Sequence, residues 1–207
     1  IIAMATFVIL AIMKFRLFRF WKFWFFMSVW FCLAVALKVF FPDAMSVVIG
    51  AGLAATKVFW KNMVVHNLTE LLIYGGLAVV FVPFLGLLSV SILLVMISVY
   101  DMIAVWRTKH MVAMAQFQMK MKLFAGLLIP YGRKKQALLG GGDIGFPLFF
   151  SGVILKQFGW MQSIVVSIVV SLALLMLLLK SEKNRYYPAM PFLSAGCFAG
   201  LLLVALL

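Results

Sequence analysis

The chain has 207 residues, of which 67% are hydrophobic and 11% charged, and its mean hydropathy is +1.19. No water-soluble domain could carry such a composition on its surface, so the sequence describes an integral membrane protein. The net charge of +13, from 18 Lys and Arg against 5 Asp and Glu, would suggest nucleic acid as the partner of a soluble protein. In a membrane protein that excess belongs to cytoplasmic loops, and nucleic acid is not expected.

Cutting the chain at charge clusters and prolines predicts apolar stretches over 1–13, 23–41, 44–60, 64–82, 84–106, 138–156, 160–179 and 188–207. A bilayer core needs about 20 helical residues, so seven of these can span, and Ile1 to Met13 is too short. With no Met at its start, the sequence reads as lacking some N-terminal residues, and Ile1 to Met13 as the remnant of a span. The fold class expected is all-α, a polytopic transmembrane bundle. Its parts are N-terminal spans (1–106), one long connection (107–137) and C-terminal spans (138–207).

If the spans alternate sides, sixteen of the eighteen basic residues fall on one side, in or beside the connections near 14–22, 61–63, 107–137 and 180–187. Only Lys38 and Lys156 fall on the other. The side with sixteen is cytoplasmic by the positive-inside rule, which places the 107–137 connection in the cytoplasm and the C-terminus outside. Trp21, Trp24, Trp60, Trp106 and Trp160 lie near predicted span ends, as an aromatic belt requires. Gly50-Ala51-Gly52, Gly75-Gly76 and Gly196-x-x-x-Gly200 are expected to serve close helix packing. Cys32 and Cys197 match no ligand or redox spacing and read as buried thiols without a disulfide.

With so few acids, each one inside the bilayer needs a reason. Asp101 lies five residues before Trp106, and Asp143 five residues after the predicted start of the next span at Leu138. At 1.5 Å per residue both carboxyls sit about 8 Å inside the cytoplasmic boundary, on two antiparallel spans where they can face each other. An unpaired carboxylate near mid-bilayer costs about 2.5–3.5 kcal/mol on insertion scales. Two carboxyls that share a proton avoid much of that penalty. Such a pair can also hydrolyse peptides, one Asp activating water and the other polarising the scissile carbonyl. A proton relay, a cation site in a carrier or a structural pair would use the same two residues, and spacing alone does not decide among them.

Gly140-x-Gly142-x-x-Gly145 matches a dinucleotide-binding fingerprint literally, but no βαβ unit surrounds it. Its glycines instead let backbone approach Asp143 and let the stretch unwind, leaving N–H and C=O groups free to pair with an extended substrate. Tyr186-Tyr187-Pro188-Ala189-Met190-Pro191 opens the last span from the same face, its prolines leaving backbone groups unpaired near the depth of the aspartates. His66 and His110 sit at or beyond span ends and form no metal or serine-type site, and Glu70 reads as a snorkelling or helix-end residue. No metal and no cofactor are expected.

Tyr100-Asp101, Gly140-x-Gly142-Asp143 and Pro188-Ala189-Met190, in that order, resemble the presenilin and signal peptide peptidase family of intramembrane aspartyl proteases. The contexts Ile97 to Val105, Gly145-x-Pro147 and Pro191 look presenilin-like, and the sidedness found from charge matches the presenilin branch. The compact chain looks like an archaeal homologue. The resemblance implies a nine-span fold, of which the first span would be missing here. It implies that Asp101 and Asp143 are the catalytic pair. Tyr100, Gly140, Gly142, Pro188, Ala189 and Met190 would shape the site and seat substrate. Met190 stands where the family has Leu, a near-isosteric exchange.

Within the long connection, Met111 to Ala115 and Leu123 to Pro130 would form a gate or a short helix and strand, or else an interfacial segment with Lys120 and Lys122 at headgroups. The expected partners are transmembrane protein substrates and the lipid bilayer. A homo-oligomer is compatible with this, and accessory subunits are not required. An ion or proton carrier is the alternative from another class. A prepilin-type peptidase, which also uses Gly-x-Gly-Asp, gives no reason for Pro188 to Pro191.

Overall fold

The structure, a computed structural model, describes residues 18–60, 62–107, 125–131, 135–180 and 187–206. Ile1 to Met13, His110, Met111 to Ala115, Lys120 and Lys122 lie outside the described residues. The described residues divide into two units, one up to Gly76 and the other from Leu77 onward.

In the first unit, helix α1 (Phe18–Leu37) and helix α2 (Asp43–Phe59) lie side by side, and helix α3 (Met63–Phe81) begins beside them. Pro42 supplies the extended residue that starts α2, and Trp60, also extended, ends it. The helices approach closely where side chains are missing. A Cβ on Gly50 would come within 3.0 Å of the Ala34 amide nitrogen, and one on Gly76 would collide with the Cys32 carbonyl. Gly52 and Gly75 face open space, so only one glycine of each cluster serves the packing expected of both. Trp30 of α1 donates its indole N–H to the Val47 carbonyl of α2 at 2.9 Å, which satisfies the polar edge of its ring.

In the second unit, a short 3₁₀ turn at Val82–Phe84, set by Pro83, leads to helix α4 (Leu87–Met102), whose last residues continue as one π-helical turn (Ile103–Arg107). Strands β1 (Gly126–Tyr131) and β2 (Lys135–Gly140) form an antiparallel hairpin running straight into helix α5 (Gly141–Phe158), followed by helix α6 (Trp160–Lys180) and helix α7 (Met190–Leu206). Val90, Leu94 and Ile97 of α4 pack with Phe150, Val153 and Ile154 of α5, Val166 and Val170 of α6, and Leu193 and Cys197 of α7. On α4 the buried positions step by four, three and four residues to Asp101, so the carboxyl lies on the stripe that faces the core. α6 and α7 meet at Gly196 and Gly200, where a Cβ would sit 2.9 Å from Ala173 Cβ and from Val166 Cα respectively.

Among the described residues, Met63–Phe84, Leu87–Arg107 and Trp160–Lys180 are each long and apolar enough to cross a membrane. Lys22–Leu37 and Met190–Leu206 are shorter apolar helices. Leu88, Met96, Leu172, Met176 and Leu179 are exposed, an arrangement suited to lipid rather than water. Trp24, Trp60, Trp106 and Trp160 are exposed close to helix ends. The protein is a helical membrane bundle. One boundary differs from expectation: Leu138 to Gly140 belong to β2, so α5 starts at Gly141 and Asp143 lies in its first turn, not five residues within.

Candidate active site

Asp101 is 4% exposed and sits one residue before the α-helical part of α4 ends. Its Oδ2 accepts the Met190 amide at 3.1 Å, and the Ala189 amide also faces it. These donors are available because Met190 opens α7, where the first amides have no carbonyl four residues earlier to bond. Pro188 and Ala189 hold the approach in non-helical form, buried, and Pro191 brings no N–H of its own. Asp101 thus caps a helix other than its own. The positive end of the α7 dipole faces its carboxylate.

Asp143 is held by the same physics on its own helix. Gly140 is the N-cap of α5, in extended conformation, and Asp143 is the third helical residue. From there the carboxylate reaches back to the Gly140 amide, half of a capping box. A Cβ on Gly140 would come 3.1 Å from Asp143 Oδ2, so the bare backbone is what leaves the carboxyl its place. The absent Gly142 side chain faces Phe146 at 3.4 Å, not the aspartate, so the two glycines of the motif do different things. Asp101 and Asp143 lie near enough for their charges to interact.

The structure therefore brings Asp101, Asp143, Gly140, Ala189 and Met190 together, with Pro188 buried behind them. Tyr100 is half-buried beside Asp101 in the chain. In place of the unwound helix end expected before Asp143, the structure has the strand β2, paired with β1 in a hairpin.

Three features were not anticipated from the sequence. The π turn directly after Asp101 widens the helix at the site, a distortion often found at functional positions. Ser98 and Ser194 form a buried hydroxyl pair one turn from the Asp101 contact, 2.7 Å between oxygens; two polar residues in otherwise apolar runs were the available signal. In the first unit, Glu70 is buried and bonded to Lys57 Nζ at 2.7 Å, which corrects its reading as a snorkelling or helix-end residue. Lys57 also reaches Thr69 Oγ1 at 3.3 Å and His66 Nδ1 at 3.5 Å. Cys197 is a buried free thiol as expected, whereas the free thiol of Cys32 is half-buried.

Among the described residues no three His, Cys, Asp or Glu side chains are grouped so as to hold a metal.

Comparison with known proteins gives concordant findings. A solved structure titled a presenilin family intramembrane aspartate protease, in space group C222, superposes with a TM-score of 0.74 at 23% identity, covering 100% of this chain and 82% of that one. A second, of the same title in space group P2, gives a TM-score of 0.64 at 22% identity, covering 100% and 83%. No curated protein sequence matches. The family model described as "Signal-peptide peptidase, presenilin aspartyl protease" matches residues 1–207, and the chain belongs to that family of intramembrane aspartyl proteases.

Proposed function

We propose that the protein is an endopeptidase that cleaves transmembrane helices of other proteins within the bilayer, with Asp101 and Asp143 as its two catalytic carboxyls. The observation that carries this reading is that each carboxyl is held at a helix N-terminus by backbone amides, Asp101 by Met190 and Asp143 by Gly140. Backbone donors in such positions favour negative charge without adding a cation, as a dyad sharing one negative charge requires. Asp101, with two amides facing it, is the better seat of that charge and acts as the base.

In this mechanism Asp101 takes a proton from water as the oxygen attacks the scissile carbonyl carbon, and Asp143 gives its proton to the carbonyl oxygen. A tetrahedral gem-diol results. The proton then on Asp101 passes to the amide nitrogen, a gem-diol hydroxyl returns its proton to Asp143, and the C–N bond breaks to give a carboxylic acid and an amine. A helical peptide bond is shielded from such attack, so the substrate must be extended locally. β2 offers a template for that. It is extended up to Gly140, three residues from Asp143, and among the described residues no third strand pairs with the hairpin. A substrate strand added to β2 would have its backbone bonded right beside the aspartates. In this reading Pro188, Ala189 and Met190 seat the substrate from the side of Asp101, with Tyr100 and Gly142 as neighbours of the two aspartates in the chain.

The same proposal places the enzyme in the cell membrane with the 107–137 connection in the cytoplasm and the C-terminus outside, supported by the distribution of basic residues.

The test is cleavage of a synthetic single-span peptide of about 20 Leu and Ala residues, with Gly-Gly near one end between a fluorophore and a quencher, by the protein in liposomes. Asp101→Asn and Asp143→Asn, measured separately, are each expected to lower turnover by about 10²–10⁴-fold. Full activity in either variant would remove the dyad. A cation leak that depends on Asp101, with no peptide cut, would instead identify a carrier.

A further inference from the structure

Asp101 meets the amides of Met190 and Ala189 at one point, the start of α7, and elsewhere α4 and α7 meet mainly through smooth apolar side chains. In lipid such surfaces have little that fixes register, because sliding exchanges one apolar contact for another. One turn from that contact there is a second polar one. Ser98, three residues before Asp101, donates its hydroxyl to the Leu94 carbonyl at 2.8 Å, and its oxygen lies 2.7 Å from Ser194 Oγ. Ser194, four residues after Met190, also lies 3.4 Å from the Leu94 carbonyl. Ser98 has one proton, and the short bond to Leu94 takes it, so the Ser194 hydroxyl donates to Ser98 Oγ. Both serines are buried, and Leu94 and Ile97 near Ser98 in the chain, and Leu193 and Cys197 near Ser194, are buried apolar core residues.

We infer that Ser98 and Ser194 form a hydroxyl clasp that fixes the register of α4 against α7 and so holds Asp101 on the Met190 amide. This rests on Asp101 being a catalytic carboxyl. One contact between two helices leaves them free to pivot, whereas two contacts about 4.5–6 Å apart along the axes fix both sliding and rotation. Hydroxyls are needed for this where alanines would fill the space, because only they bond in one direction. Both serines are positioning residues: neither touches the substrate.

The test measures kcat and KM for the quenched single-span peptide with Ser98→Ala, Ser194→Ala and the double variant. Ser171→Ala serves as control, its hydroxyl donating to the Ser167 carbonyl on the exposed face of α6. Turnover is expressed per folded protein, with thermal unfolding in detergent recorded for each, so that a folding defect is separated from a loss of alignment. Each single variant is expected to lose about three- to tenfold in kcat with KM unchanged. The double variant should be no worse than the poorer single, since either substitution opens the same clasp. Ser98→Thr or Ser194→Thr, keeping the hydroxyl, should recover turnover.

Wild-type kcat in both alanine variants, losses that multiply in the double, or threonine variants no better than alanine at both positions would overturn the inference. Asp101→Asn measured alongside separates the two claims. If it is inactive while the serine variants are wild-type, the clasp alone fails. If it is active, the catalytic reading fails and the clasp falls with it.

Discussion

At the scale of single residues, the unexpected investment is the ion pair of Lys57 and Glu70, whose side chains are 1% and 3% exposed. Removing two charges from water costs several kcal/mol each, and their attraction offsets this only when the remaining protons and lone pairs are also used. Here the ammonium is nearly saturated, by Glu70, Thr69 and His66. His66 Nε2 lies 4.0 Å from the same Glu70 oxygen. Lys57→Met should therefore destabilise the protein by about 3–5 kcal/mol, because it strands Glu70, while Lys57→Met with Glu70→Leu should be far less damaging. Thermal unfolding in detergent separates the two, and a double variant as unstable as the single would show that the pair itself stabilises.

The pair could not be read from the sequence, since Lys57 lies in the last turn of an apolar span and looks like any helix-end cation. The aspartates were legible for the opposite reason. They lie on buried stripes beside Gly and Pro, where a charge has no cheap explanation. The role of Gly140 was legible only as permission for close approach; the structure shows what approaches, its neighbour's carboxyl. Gly140→Ala should push Asp143 Oδ2 away by a few tenths of an ångström and lower kcat by at least about tenfold. Unfolding should be almost unaffected, and a Gly140→Ala enzyme of normal turnover would mean that the carboxyl can move without loss.

At the scale of elements, the helices and their order followed from composition because lipid leaves a chain few options: about 20 apolar residues between charges must be helical to satisfy their backbone. Among the described residues, seven helices stand close to the stretches expected for them. The hairpin was harder to foresee. Leu138-Leu139-Gly140 is apolar and continuous with the helix that follows, and so short an apolar run looks the same whether strand or helix. Only pairing with β1, in the register Leu127 to Leu139, settles it as a strand. The glycine seam was legible by spacing alone at Gly196 and Gly200, four residues apart on one face. Gly200→Leu should force α6 and α7 apart at Val166, and overpacking of this kind costs about 1–3 kcal/mol or more. The same change at Gly52, which faces open space, should leave the unfolding midpoint unchanged. Equal effects at the two sites would show that the seam is not what joins the helices.

At the scale of the whole molecule, the excess of basic residues bears on orientation, and the structure alters which of them bear on it. Lys57, counted with the cytoplasmic group, is neutralised in the interior by Glu70 and reports no side. Lys38 forms an exposed pair with Asp43, and Lys156 donates to the Pro83 carbonyl at 2.9 Å. The two basic residues assigned to the outer side are thus both tied to local partners. With Lys57 set aside, fifteen basic residues still fall on one side against two on the other. Lys180, in the last turn of α6, is exposed. A membrane-impermeant maleimide applied to sealed right-side-out vesicles should therefore label Lys38→Cys in a Cys32→Ala, Cys197→Ala background and leave Lys180→Cys unlabelled until the vesicles are opened. The reverse pattern would invert the protein. The scissile bonds would then lie near the outer leaflet, since Asp101 and Asp143 keep their place relative to Arg107 and Gly141 whichever way the bundle faces.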